Sequence, residues 1–315
     1  MSVLVTGADG FVGRHLVRTL LAGGRDVVAA IGPGGRPAED WTGPDLDGQV
    51  RTRLLDLSDP ASIGAAADDA SEAVIHLAAL SSGSAAQRDP GRAWQINAGG
   101  TAQLCGALSR RPAPFRGTVL VVSSAEVYGI AEPRLRSETD PVAPCSPYAA
   151  TKAASEIAAL ETWRRTGLRV VVVRPFPHTG PGQSPQFVVP ALLERLRAAR
   201  EAKASTVQAG NLSPVRDFLD VRDVVRAYLA LLTDGEPGEA YNVARGAGLS
   251  LREIFDQLCQ LLGVEAKPIV DPALLRQADI PHLVGDASKL RTRCGWTPTV
   301  SLAQTLRDMV HAQAN

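Results

Sequence analysis

Residues 7–13, Gly7-Ala8-Asp9-Gly10-Phe11-Val12-Gly13, form a G-x-x-G-x-x-G turn between a short apolar run and an amphipathic segment. No other feature of the chain limits its fold as tightly. Val3-Leu4-Val5 reads as a strand, and Phe11-Val12, Leu16-Val17 and Leu20-Leu21 recur at helical spacing. Between such elements the first glycine permits a tight turn and the second lets the backbone approach a pyrophosphate. The third allows the helix to pack closely on the sheet. The helix N-terminus adds N–H groups and the positive end of its dipole. Gly7, Gly10, Phe11, Val12 and Gly13 are therefore candidate dinucleotide contacts.

The strand–helix rhythm continues. Gly23-Gly24 stops the first helix, and Val27 to Ile31 follows as a second buried strand. Further strands are expected at Val50 to Leu55, Ala73 to Leu77, Val119 to Ser123 and Leu168 to Val173. Helices are expected between them at Pro60 to Ala70, Ala93 to Arg110 and Pro147 to Thr166. Such alternation implies an α/β fold, a doubly wound parallel sheet covered on both faces. The Gly- and Pro-containing stretch 32–48 reads as a surface loop. After Arg174 the prolines 175, 177, 181, 185 and 190 break the rhythm. Residues 1–175 are expected to form the cofactor domain and 176–315 mainly a smaller substrate-binding region, with segments of about 214–250 returning to the first. Helices there are expected at Ala191 to Arg200, Val221 to Leu232 and Leu251 to Leu262.

Composition excludes several functions. Among 315 residues, 33 Lys+Arg balance 33 Asp+Glu, so no basic excess points to nucleic acid. No apolar run nears the roughly 18 residues a membrane span needs, and Met1-Ser2-Val3 shows no basic leader region. A cytoplasmic location is the expectation. Cys105, Cys145, Cys259 and Cys294 lie far apart, with no histidine at metal-ligand spacing, so no metal site is expected.

Ile31-Gly32-Pro33-Gly34-Gly35-Arg36 ends the second strand with no acid before Glu39. An acid there would bind a ribose 2′-hydroxyl and repel a 2′-phosphate. Arg36 could pair with such a phosphate, favouring NADP(H) and leaving NAD(H) possible, unless it is only a solvated loop residue. Tyr148 and Lys152 stand at i and i+4 behind a Ser146 N-cap and Pro147, so they share a helix face. A lysine cation favours the phenolate of a tyrosine whose pKa is ordinarily about 10. Val121-Val122-Ser123-Ser124 brings hydroxyls to the end of a parallel strand, where ligands bind.

Gly7-x-x-Gly10-x-x-Gly13, Asp56-Leu57, His76-Leu77-Ala78-Ala79, Asn97, Ser123-Ser124-Ala125-Glu126-Val127-Tyr128-Gly129 and Tyr148-x-x-x-Lys152 together resemble the extended short-chain dehydrogenase/reductase family. The resemblance spans essentially the whole chain and implies a Rossmann domain, a nicotinamide cofactor, a nucleotide-sugar substrate and a homodimer paired through helices at about 97–111 and 147–166. It implies that Asp56 and Leu57 flank the adenine, that Leu77, Ala78, Ala79 and Asn97 serve the cofactor, and that Lys152 also holds the nicotinamide ribose. Ser124 matches the catalytic serine or threonine of the family, with Tyr148 and Lys152 beside it. Gly180-Pro181-Gly182-Gln183, Gly210-Asn211-Leu212, Val215 to Asp223, Arg276 and Gly285-Asp286 to Pro298 resemble the GDP-hexose branch of dehydratases and reductases. Substrate contacts implied are Ser124, Glu126, Tyr148, His178, Val188, Asn211, Arg216 and Arg276. Arginine forks suit a diphosphate, though ion pairs with Asp217 or Asp279 are the plainer reading of Arg216 and Arg276. Pro177 stands where the family usually has a substrate-contacting asparagine, and it offers neither N–H nor amide.

Two enzyme readings follow from the resemblance. A reductase would pass hydride from NADPH to C4 of a nucleotide-linked 4-keto-6-deoxyhexose. A 4,6-dehydratase would need Glu126 as a base: Ala125 cannot be the acid of the Asp-Glu pair of dTDP-glucose dehydratases, while Glu126 matches the glutamate of the Ser-Glu pair of GDP-mannose dehydratases. A 4-epimerase is a third reading, and a non-catalytic nucleotide-binding protein is the alternative outside catalysis. The shorter chain favours the reductase.

Overall fold

The computed structural model describes residues 2–42, 50–275 and 279–312. Seven parallel strands make the central sheet: β1 (Ser2–Thr6), β2 (Asp26–Ile31), β3 (Arg51–Leu54), β4 (Ala73–His76), β5 (Thr118–Val122), β6 (Val170–Pro175) and β7 (Ala240–Val243). Their spatial order is β7-β6-β5-β4-β1-β2-β3. Every residue of β1, β4 and β6 is buried, which fits the apolar runs at their centres, Val3-Leu4-Val5, Ala73-Val74-Ile75 and Val170 to Val173. The edge strand β3 carries Arg51 and Arg53 and is exposed throughout, which blunts edge pairing.

Helices cover both faces. On one side, α1 (Phe11–Ala22) buries Leu16, Val17 and Leu20 beside Val224, Tyr228 and Leu231 of the later helix Val221–Asp234. On the other, α2 (Pro60–Asp69), α3 (Gly100–Ser109) and α4 (Pro147–Thr166) bury Ile63, Leu104, Leu108 and Ala159. This is the doubly wound, Rossmann-type fold. A third core joins α5 (Val188–Glu201), α7 (Leu251–Leu262) and α8 (Leu302–His311), with α6 the helix Val221–Asp234 already described. It closes around Leu192, Leu196, Phe255, Leu258 and Leu306, away from the sheet.

The chain reverses direction across the sheet between β1 and β4, so a crevice opens at their C-terminal ends. Strand β7 comes from the second half of the chain and pairs with β6. One excursion runs the other way: Leu135–Arg136 pairs with His282–Gly285 in a four-stranded patch beside Val215–Arg216 and Leu249–Ser250.

The stretch 32–48 departs from the expected surface loop. Glu39–Thr42 forms a helical turn, and Trp41 is 2% exposed within the main core, its Nε1–H donating to the Arg36 carbonyl at 3.1 Å. Burying one large aromatic outweighs the loop composition around it. Residues 43–49 lie outside the described residues.

Candidate active site

The glycine turn is built as its spacing demands. Gly7 has φ +68°, and a Cβ there would come within 2.9 Å of the Ala78 amide nitrogen at the end of β4. A Cβ on Gly13 would overlap the Gly7 carbonyl oxygen. Both positions therefore need glycine on steric grounds alone. Gly10 is the N-cap of α1 and offers no side-chain acceptor, and the first intrahelical bond runs from Arg14 N–H to Gly10 at 3.0 Å. The N–H groups of Phe11, Val12 and Gly13 thus open towards the crevice with no acid in the first turn, a fit for a dinucleotide pyrophosphate.

Other expected cofactor positions gather around this turn. Leu77, Ala78 and Ala79 follow β4 and are partly exposed, and the Ala78 amide donates to Thr6 Oγ1 at 3.1 Å. Asp56 Oδ1 accepts from Ser58 N–H at 2.8 Å and Ser58 Oγ at 2.6 Å, which holds its carboxyl below the usual carboxylate range. Leu57 is buried against Gly100 on α3. Arg36 is exposed at the end of β2, its backbone N–H donating to Asp9 Oδ2 at 3.2 Å. An acid does therefore reach this end of the site, carried by the glycine turn instead of by the second strand. Asn97 is 2% exposed in a π-helical turn, Trp94–Gly99, and its amide bridges Leu80 and Thr151. It positions the walls of the crevice through other residues.

Ser124 leaves β5 and caps the turn Ala125–Tyr128, its Oγ accepting from Glu126 N–H at 3.2 Å. Tyr148 occupies the first turn of α4, which Ser146 caps by accepting from Ala149 N–H at 3.2 Å. The Tyr148 hydroxyl is hydrogen-bonded to Ser124 and lies within the field of Glu126. Burial first, then the Glu126 charge, push its pKa above the ordinary tyrosine value, against the smaller pull of Ser124. Lys152 is 6% exposed and drawn down to about 8 by burial, with Glu156 opposing.

Tyr148, Lys152 and Glu156 continue one stripe along α4 at four-residue intervals. Glu156 forms a buried two-pronged ion pair with Arg174 of β6, at 3.0 Å to Nε and 2.7 Å to Nη2, and also accepts from Ser123 Oγ. Arg174 Nη1 donates to Tyr128 OH at 3.0 Å, and that hydroxyl donates to Asn242 Oδ1 of β7 at 2.6 Å. Sequence reasoning passed over this network. The one available signal was the third member of the stripe, Glu156.

The expected substrate positions are spread more widely. His178 stacks on Phe11, rings 6.3 Å apart and 7° from parallel, and its Nδ1 meets the Phe176 carbonyl at 3.0 Å, so it lies against the glycine turn. Val188 begins α5. Asn211 Oδ1 accepts from Ser213 N–H at 3.0 Å in an exposed turn. Arg216 Nη2 pairs with Asp279 Oδ1 at 2.8 Å, the plainer of its two readings, while Arg276 lies outside the described residues. The other acids of the motif are internal clamps. Asp217 accepts from Arg245 and Gly246 N–H at 3.0 and 2.8 Å, and Asp223 from Thr299 and Val300 N–H at 3.0 and 2.9 Å. Asp220 caps α6 and accepts from Thr305 Oγ1 at 2.7 Å. The Pro177 carbonyl accepts from Leu219 N–H at 2.9 Å. No cluster of His, Cys, Asp and Glu able to hold a metal occurs among the described residues.

Comparison with known proteins agrees with this geometry. The family model described as GDP-mannose 4,6 dehydratase matches residues 4–309. GDP-6-deoxy-D-mannose reductase of Pseudomonas aeruginosa is 36% identical over 97% of this chain and 94% of its own. UDP-glucose 4-epimerase of Mycolicibacterium smegmatis is 32% identical over 98% and 97%. Among solved structures, RMD from Pseudomonas aeruginosa complexed with NADPH superposes with a TM-score of 0.82 at 35% identity, covering 98% of this chain and 97% of that one. The relatives are nicotinamide-dependent enzymes on nucleotide sugars. On this sequence and this architecture, the chain belongs to the GDP-mannose 4,6 dehydratase family of extended short-chain dehydrogenases/reductases.

Proposed function

We propose that the protein reduces the C4 ketone of a GDP-linked 4-keto-6-deoxyhexose with NADPH. The observation that carries this reading is the Tyr148 hydroxyl, hydrogen-bonded to Ser124 at the crevice, in a chain 36% identical to a GDP-6-deoxy-D-mannose reductase. When bound, NADPH supplies the hydride that adds to C4. Tyr148 gives its proton to the ketone oxygen, Ser124 hydrogen-bonds the same oxygen, and Lys152 supports both Tyr148 and the cofactor ribose. The uncapped α1 N-terminus takes the cofactor pyrophosphate, and Arg36 takes the 2′-phosphate. Arg216, and with it Arg276, receives the substrate diphosphate. The remaining site assignments are Asp56 and Leu57 at the adenine, Leu77, Ala78 and Ala79 along the cofactor, and His178, Val188 and Asn211 towards the sugar nucleotide.

One observation favours a second reading, a 4,6-dehydratase: Glu126 sits in the turn capped by Ser124, its N–H donating to Ser124 Oγ at 3.2 Å. Against it, Ala125 is 1% exposed and carries no proton. The two part on GDP-mannose supplied alone. The reductase leaves it unchanged; formation of a 4-keto-6-deoxy product without net cofactor turnover would replace the first reading with the second.

The reading includes a cytoplasmic homodimer. Among the described residues no helix is long and apolar enough to cross a membrane. Between α3 and α4 lies a groove of about 390 Å³ lined by Ala102, Gly106, Ala154, Ile157 and Ala158, with Ile157 69% exposed. Small residues flanking an exposed isoleucine suit close packing of a second helix pair. A monomeric mass at micromolar concentration would contradict the dimer.

A further inference from the structure

His76 closes β4 and is 3% exposed, with hydroxyls on both sides of its ring. Nδ1 lies 2.8 Å from Thr6 Oγ1 at the end of β1, and Nε2 lies 3.1 Å from Thr101 Oγ1 on α3. The neighbours fix which nitrogen carries the proton. Thr101 Oγ1 lies 2.6 Å from the Asn97 carbonyl, a separation that requires a proton between the two oxygens. Its only proton is then committed, so towards His76 it accepts, and Nε2 must be the donor. The bare Nδ1 accepts from Thr6 O–H, whose oxygen in turn accepts from Ala78 N–H at 3.1 Å.

The result is a chain with one sense throughout. Ala78 N–H donates to Thr6, Thr6 to His76, His76 to Thr101, and Thr101 to the Asn97 carbonyl. Beyond it, Ser155 Oγ of α4 shares its one proton between that same carbonyl and the Thr151 carbonyl, each at 2.9 Å. Asn97 Nδ2 donates to Thr151 Oγ1 at 2.9 Å, which donates to the Tyr148 carbonyl at 2.8 Å. The π-helical turn at Asn97 is what brings its carbonyl between α3 and α4.

We propose that His76, with its proton on Nε2, is a positioning residue that ties the Ala78 side of the cofactor crevice to the helix carrying Tyr148 and Lys152. This rests on the reading of that pair as the reacting residues. A doubly protonated ring would turn a second N–H towards Thr6 and strip the Thr6 proton of its acceptor inside the core. Burial and the Lys152 charge oppose that state.

Two measurements test it, and the first needs no activity. In protein with ¹⁵N-labelled histidine, long-range proton–nitrogen spectra should show His76 as the Nε2–H form, unchanged from about pH 5.5 to 8.5, where an ordinary histidine titrates. Assignment comes from the signal lost in His76→Gln. A proton on Nδ1, or titration within that range, would overturn the proposal. The second compares Thr101→Val with Thr101→Ser by NADP⁺ affinity and by turnover. Removing the hydroxyl should weaken NADP⁺ binding and lower kcat about tenfold each, a step of roughly 1.4 kcal/mol apiece. Serine should restore both, with KM for the nucleotide sugar moving less than about twofold in either variant. A valine variant that folds and binds NADP⁺ as the parent does would also overturn it. If turnover is absent on every nucleotide sugar while the tautomer and the NADP⁺ results hold, the functional reading fails and the positioning role stands.

Discussion

Removing Glu156 tests how the buried ion pair supports the site. Its side chain is 5% exposed and that of Arg174 is 8%, so neither charge can be rescued by water. In Glu156→Leu the guanidinium keeps only Tyr128 OH at 3.0 Å and the Glu138 carbonyl at 3.4 Å, and Ser123 Oγ loses its acceptor. Breaking one side of a buried pair costs about 3–5 kcal/mol. At roughly 2 °C per kcal/mol for a chain of this size, Tm should fall by about 6–10 °C. Replacing both partners, Glu156→Leu with Arg174→Met, should recover most of that loss, because the stranded charge disappears. Glu156 is also the one influence holding the Lys152 pKa up against burial, so its loss should move the alkaline limb of NADP⁺ binding below about pH 8. Thermal melts of the three proteins and NADP⁺ titrations across pH would decide it. A fall of less than about 2 °C in the single variant, or a double variant no more stable than the single, would refute the reasoning.

Tyr148→Phe should lower turnover by about 10²-fold or more with NADP⁺ affinity nearly unchanged, read by steady-state kinetics and cofactor titration. Gly13→Ala has no space for its methyl group beside the Gly7 carbonyl, so the variant should lose cofactor binding or fail to fold, whichever the melts and titrations show first. Arg216→Ala should weaken binding of the nucleoside diphosphate by about 1.5–3 kcal/mol in calorimetry, the usual weight of a charged hydrogen bond. His76 is drawn down to about 3 from 6.5, so between those values the unfolded chain binds the extra proton. Stability should therefore fall as pH drops through that window, and acid melts of His76→Gln should show a shallower fall.

The architecture was legible because parallel strands buried on both faces need apolar runs, as Val3-Leu4-Val5 of β1 and Val170 to Val173 of β6 supply. Helix ends were legible where caps are local, as where Ser146-Pro147 opens α4. The candidate stripe was legible because four-residue spacing places Tyr148 and Lys152 on one helix face whatever the rest of the chain does. What escaped depends on contacts between distant segments. Arg174 and Tyr128 lie 46 residues apart, Tyr128 and Asn242 lie 114 apart, and Asp9 reaches Arg36 across 27. Trp41 was missed because proline and glycine around it read as a loop, while one indole finding the core decided the outcome.

Every role proposed for the site depends on reduction of a GDP-linked 4-keto sugar. Enzyme mixed with NADPH and GDP-4-keto-6-deoxymannose, followed at the reduced-nicotinamide absorbance with product analysis, tests it most directly. One NADPH should be oxidised for each GDP-6-deoxyhexose formed, with no such consumption by Tyr148→Phe on the same timescale. Absence of NADPH oxidation with that substrate, in protein shown to bind NADPH, would contradict it.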